Sequence, residues 1–279
     1  MKPFLYPVIF GSCALFALSC SPGNKQDTTS ASTDSTSAIV QNTPEAPPVK
    51  NDSSFATFIS LFQQPETNFP EWAVESFLKT ENIGHLTPKQ VLQTRPFYVV
   101  LYVHFMPVGP GMDELHAASF SQDGTLITDL KVGSSYPSSG PDGGGKDYYT
   151  PSYDTEQNVL TIINSSIEWD ESRQEDVTNE ACNYFLLEED GTLTNGRKYP
   201  QISTQYLEES SLESYSKEEL KIMRNEIFAS CGYIFKTEPM KSYYGKMRWY
   251  KPLLDNVDDK LNDFEKANVK LIKEAEDQK

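Results

Sequence analysis

The chain has 279 residues, 38% of them hydrophobic, with 40 acidic against 24 basic side chains and a formal charge of −16. That length supports one or two compact domains with a real core. The charge excludes a nucleic-acid surface and docking on anionic lipid through a basic patch, and no segment past residue 20 has the hydropathy of a polytopic membrane protein.

Lys2 places one positive charge ahead of Phe4 to Leu18, a run of 15 uncharged residues, short of the ~20 that a spanning helix needs. A charged start, a short apolar stretch and small residues before a cut predict a secretory signal over residues 1–19. Ala17-Leu18-Ser19-Cys20 resembles a bacterial lipobox. That resemblance implies that Cys20 becomes the lipidated N-terminus and ties the chain to a membrane. Ser21 after it resembles lipoproteins sent on to the outer membrane. Only Cys182 and Cys231 would then remain as thiols, in an oxidising compartment where a disulfide is permitted. Spacing alone leaves that pairing open. Residues 20–52 are Ser, Thr, Asn, Gln, Pro and Ala with almost no large apolar side chain. They predict a disordered tether, with an r.m.s. reach of ~30 Å.

Residues 53–204 read as helices followed by an antiparallel β meander, a curled sheet or open barrel of six or seven strands. Ser54 can cap a helix in which Phe55, Phe58, Ile59 and Phe62 share one face. Thr87-Pro88 predicts a second, short helix through Leu92, with Thr as cap and Pro at the first position. The period then changes. Phe97–Phe105 is aromatic and β-branched, and runs follow at Leu115–Phe120, Thr125–Val132, Asp147–Tyr153, Val159–Trp169, Ala181–Glu188 and Leu193–Tyr199. Asp123-Gly124-Thr125-Leu126 returns as Asp190-Gly191-Thr192-Leu193, and both Asp-Gly pairs signal hairpins.

Residues 205–279 return to helix. Ser216 and Glu219 form a capping box, with the helix running to about Cys231 and Gly232 beyond its end. Thr237-Glu238-Pro239 starts a second helix, and Leu261 or Asn262 a third. Arg224, Asn225, Glu226, Phe228, Ala229, Ser230, Cys231, Gly232 and Tyr233, followed by Tyr243-Tyr244, Trp249-Tyr250 and Asn268, resemble the YARHG domain. The resemblance covers the last quarter of the chain. It implies a small three-helix module placed outside the cytoplasm, a family proposed to act on the cell wall. Phe228, Ser230 and Cys231 stand where the namesake motif has Tyr, Arg and His. At 100° per residue, Cys231 and Arg224 fall on the apolar face of the first helix and Asn268 on that of the last. Buried polar groups need partners. Arg224 and Asn268 are therefore expected in one network between these helices, with Glu265 or backbone carbonyls as acceptors.

No metal or cofactor is expected. Gly140-Pro141-Asp142-Gly143-Gly144-Gly145-Lys146 lacks the Ser/Thr and the following helix of a P-loop. Asp255–Asp259 lacks the EF-hand pattern. His104 and His116 read as two unrelated strand histidines, although a hairpin could bring them together beside Asp113 and Glu114. Glu168, Asp170 and Glu171 around Trp169 read as a solvated face. No catalytic residue is named. The leading function is a non-enzymatic binding or scaffolding module at the cell envelope, engaging peptidoglycan or an envelope protein. The alternatives are an enzyme acting on peptidoglycan and a purely structural helical cap on the β domain.

Overall fold

The computed structural model describes residues 54–65, 67–80, 85–107, 111–135, 146–171 and 174–279. The signal segment, Cys20, the tether and residues 140–145 of the Gly-rich loop lie outside these. All described residues belong to one unit, Lys50–Lys279.

α1 (Phe55–Ser60) begins at Ser54, whose hydroxyl accepts the Thr57 amide at 3.3 Å. α2 (Glu71–Ala73) continues into a π turn, Val74–Leu78. Eight strands follow: β1 (Leu86–Gln93), β2 (Tyr98–Met106), β3 (Met112–Phe120), β4 (Leu126–Ser135), β5 (Lys146–Asp154), β6 (Val159–Asp170), β7 (Glu175–Leu187) and β8 (Leu193–Asn195). They form two open antiparallel sheets, β1-β2-β3-β4 and β5-β6-β7-β8. The helices α3 (Lys217–Ser230), α4 (Glu238–Tyr244) and α5 (Asp263–Asp277) complete the chain.

β1 corrects one reading: Thr87-Pro88 opens no helix. Pro88 sits on an edge strand beside a register irregularity between Pro88 and Gln90, where a missing N–H is tolerated. Leu86 and Val91 join the aromatic cluster on that side. Tertiary burial thus overrides the local cap signal.

Side-chain alternation sorts the chain into layers. On one face of the first sheet, Val100, Tyr102, Ala118 and Phe120 meet Phe58, Phe62, Phe69 and Phe77 of the N-terminal helical segment. On its other face, Val99, Leu101, Val103, Leu115 and Ala117 meet Leu160, Ile162, Phe185 and Leu187 of the second sheet. The outer face of the second sheet offers Val159, Tyr184 and Leu186 to Ala229, Phe235, Met240, Tyr244 and Trp249. The order is helices, sheet, sheet, helices.

The repeated Asp-Gly-Thr-Leu is a repeated conformation. Gly124 and Gly191 have φ of +88° and +87°, and Asp123 and Asp190 each accept the amide two residues on, at 3.2 and 2.9 Å. These are Asx turns joining β3 to β4 and β7 to β8. A Cβ on Gly191 would lie 2.7 Å from Ile127 and Phe97. Gly191→Ala therefore combines a disfavoured φ with a clash. Its expected cost is about 1–3 kcal/mol, read as a lower urea midpoint at unchanged slope.

Candidate functional site

The motif residues of the C-terminal helices are fixed first by local chemistry. Ser216 accepts the Glu219 amide while Glu219 accepts the Ser216 amide at 2.9 Å, starting α3. Gly232, at φ +80°, ends it: the amides of Gly232 and Tyr233 donate to the carbonyls of Ala229 and Phe228, both at 3.0 Å. This is a Schellman closure, and the Phe228 and Tyr233 rings supply its apolar contact.

Glu226, in the middle of α3, is 2% exposed. Its carboxylate accepts Arg197 Nε at 3.3 Å and the amides of Lys198 and Tyr199 at 3.0 and 2.9 Å. Arg197, 3% exposed, gives Nη1 to the Cys182 carbonyl and Nη2 to Ser203 Oγ, each at 2.9 Å. A buried ion pair needs such additional hydrogen bonds to offset its desolvation. The pair locks α3 to β7 and to the segment leaving β8. Gly196, just before Arg197, leaves room for Trp249: a Cβ there would lie 3.0 Å from the indole and from the Tyr184 carbonyl. Trp249 stacks on Tyr184 at 5.0 Å, and the Tyr184 hydroxyl donates to the Ser230 carbonyl at 2.8 Å. Tyr250 donates to the Tyr233 carbonyl at 2.6 Å.

Asn268 is saturated. Its Oδ1 accepts the Leu207 amide at 2.9 Å, and its Nδ2 donates to the carbonyls of Ile202 and Gln205, each at 2.8 Å. Arg224 does not join it. Arg224 Nε donates to Glu276 at 3.0 Å, with the guanidinium partly solvated. The single network expected from helical angles is corrected to two separate fastenings, because Asn268 lies where the chain at 202–207 crosses α5 and Arg224 reaches the end of that helix. Asn225 donates to the Lys221 carbonyl of its own helix. Glu265 serves the cap of α5, accepting the Asn262 amide at 3.1 Å, and faces Cys231 Sγ at 4.0 Å. Burial pushes the Glu265 carboxyl up, the Cys182 thiol up and the Cys231 thiol up to about 12. Both cysteines are free thiols in the structure.

A cleft of about 650 Å³ opens beside this assembly. Its origin is legible along two strands. The inner face of β6 runs Leu160, Ile162, Asn164, Ser166, and that of β7 runs Leu187, Phe185, Asn183, Ala181, Asn179. The shared apolar core thus gives way to amides and hydroxyls without a break in alternation. Asn195, Pro200, Gln201, Ser203 and Thr204 wall one side, with Asn262 and Phe264 at the start of α5. Asn183 Oδ1 is buried there without a hydrogen-bond partner. Asp147 lines the cleft too, its carboxyl raised by burial. Gly133 on β4 faces Asn164 Oδ1, which a Cβ would approach to 3.2 Å.

Residues 196–277 match the YARHG domain. No curated protein and no solved structure matches the chain. The YARHG region contributes Pro200, Gln201, Ser203 and Thr204 to the wall, with Asn262 and Phe264 at the start of α5, so the cleft lies where it meets the second sheet. The three positions at which this copy departs from the namesake motif all face inward. Phe228 packs between two clusters, Ser230 donates to the Ile227 carbonyl, and Cys231 lies in the helical core.

The other candidates sort as follows. Trp169 is exposed at the end of β6, while the side chains of Glu168 and Asp170 lie outside the described residues. His104 and His116 are not unrelated. The β2–β3 register sets His104 opposite Glu114 and Tyr102 opposite His116, on one face. Asp113, one residue on, takes the other face. Arg197 and the cleft residues carried no motif in the sequence. The available signal was the run of Asn and Ser at inner positions of β6 and β7.

Glu226→Gln removes the counter-charge of a buried guanidinium and should cost about 3–5 kcal/mol in urea unfolding. Arg224→Met, at a partly solvated pair, should stay within about 1 kcal/mol. Iodoacetamide at pH 8, followed by peptide mass mapping, should label Cys182 and Cys231 slowly in the native chain and quickly in urea, since burial holds both as thiols. Resistance in urea until reductant is added would instead mark a disulfide.

Proposed function

We propose that this chain is an envelope binding module, lipid-anchored at Cys20 and reaching outward on residues 20–52, whose cleft holds a segment of peptidoglycan. The YARHG region supports an extracytoplasmic setting and association with the wall. The observation that carries the reading is the chemistry of the cleft. Asn164, Asn183, Asn195, Gln201, Ser166 and Thr204 present amides and hydroxyls beside Tyr148, Phe185 and Phe264. Neutral donors and acceptors over apolar surface suit acetamido sugars and peptide bonds, which carry the same groups. The unpartnered Asn183 Oδ1 leaves a buried acceptor for a ligand donor.

The cap reading also has support. Val159, Tyr184 and Leu186 share a buried cluster with Trp249, Tyr244 and Phe235, so the helices cover sheet surface that water would otherwise meet. Covering the sheet and walling the cleft are compatible tasks for the same helices.

The test is co-sedimentation with purified peptidoglycan at low and high salt. Binding should weaken only modestly at high salt, because the lining apart from Lys131 and Asp147 is neutral. Asn183→Leu, which replaces the free acceptor by an apolar group of similar size, should weaken it about 10-fold, one lost buried hydrogen bond. Absence of binding at both salts would remove the wall reading. Release of soluble fragments from the peptidoglycan would replace binding by catalysis.

A further inference from the structure

We propose that His104, Glu114 and His116 form a binding site for a divalent transition-metal ion of the zinc type, on the face of the first sheet that turns away from the second sheet. One ligand atom from each lies within 4.8 Å of the others. Glu114 Oε2 stands 3.9 Å from His104 Nδ1 and 3.8 Å from His116 Nε2. Ligands about 2.0–2.1 Å from a tetrahedral ion stand about 3.3–3.4 Å apart, so a contraction of about half an ångström brings Glu114 to that spacing from each histidine, and the rings close on each other from within 4.8 Å. Two imidazoles and a carboxylate are the donor types that such an ion takes, and three protein ligands leave one position open.

The surroundings are built as a metal site's surroundings are. His116 Nδ1 lies 3.0 Å from Asp129 Oδ1. A carboxylate only accepts, so Nδ1 holds the proton and, in the neutral ring, Nε2 keeps the lone pair. That Nε2 is buried and has no hydrogen-bond partner, an unexplained cost unless something occupies it. Asp129 is itself fixed, its Oδ2 accepting the Tyr102 hydroxyl at 2.5 Å, and the Tyr102 ring stacks on His116 at 5.0 Å. An imidazole whose far nitrogen is held by a carboxylate is the arrangement that orients histidine toward a metal. Lys131 donates to Glu114 Oε1 at 2.5 Å, which turns Oε2 toward the two rings. That hydrogen bond holds the Glu114 carboxyl low, and burial, then His116, holds His104 low.

β-sheet register alone assembles this. Positions 102 and 104, 114 and 116, and 129 and 131 share a face of three adjacent strands. The N-terminal helical segment covers the next rows, Val100, Ala118 and Phe120.

The experiment is calorimetric titration of the untagged full-length chain with Zn²⁺, with Mg²⁺ and Ca²⁺ as controls, and with Co²⁺ as a visible reporter. The expected result is one equivalent of Zn²⁺, no heat from the hard cations, and Co²⁺ d–d bands without a thiolate charge-transfer band. His104→Ala and His116→Ala should abolish the site, with unchanged circular dichroism. Glu114→Gln, close to isosteric, covers the case in which a histidine variant fails to fold. Asp129→Asn should weaken Zn²⁺ binding about 10- to 100-fold without changing stoichiometry. Absence of a stoichiometric heat, a thiolate band, or wild-type affinity in Glu114→Gln and His116→Ala would overturn the assignment.

Discussion

The Arg197–Glu226 pair governs where the C-terminal half of the molecule sits. Both charges are fully withdrawn from water, so either one alone would be strongly destabilising. Their mutual satisfaction, completed by Cys182, Ser203, Lys198 and Tyr199, requires α3, β7 and the segment after β8 in one arrangement. That arrangement fixes Pro200–Ser203 as a helical turn beside β7. Asn262 then ties α5 to the same turn and to the Glu180 carbonyl. The cleft wall is thus a consequence of one buried pair and its neighbours rather than of the wall residues themselves.

Much of this was legible in the sequence where local chemistry decides the outcome. The capping box at Ser216, Gly232 after α3, the Asp-Gly turns and the aromatic face from Phe55 each follow from short-range rules, and each stands where it was read. Most of the strands were legible from alternation, as was the YARHG region from the order and aromatic content of its motif. What escaped depends on partners distant in the chain. Thr87-Pro88 has every local mark of a helix start, yet pairing with β2 and burial of Leu86 make it an edge strand. Helical angles placed Arg224 on the apolar side of α3 and Asn268 on that of α5, but an angle says nothing of height along the helix or of which segment crosses it. Arg197 fell inside the run read as a last strand, Leu193–Tyr199, but that strand ends at Asn195, and nothing local marked its guanidinium as the buried one.

The histidines show the same limit from the other side. His104 and His116 are separated by a hairpin, and without the register their meeting is a guess. A slip of one residue would carry every side chain of β3 to the other face. The observed register is pinned by the apolar set Leu115 and Ala117, which must face the second sheet. Glu114 and His116 are consequently forced to the opposite face, beside His104. The core between the sheets therefore assembles the polar cluster outside it.

The charge of −16 can now be placed within that architecture. Residues 205–279 hold 15 acidic and 13 basic side chains, whereas residues 21–204 hold 25 and 10. The excess negative charge lies on the sheet side of the sequence, and Glu168 to Asp190 alone contains nine acids against Arg173. The named cleft residues are mostly neutral, so this field contributes little contact energy to the sugar and amide groups proposed to bind there. A summed negative potential does raise the local concentration of cations over the same surface. The two proposed sites thus differ in what brings their ligands: short-range hydrogen bonding in the cleft, and long-range attraction at the histidines. Salt should separate them, because screening acts on the second and hardly on the first.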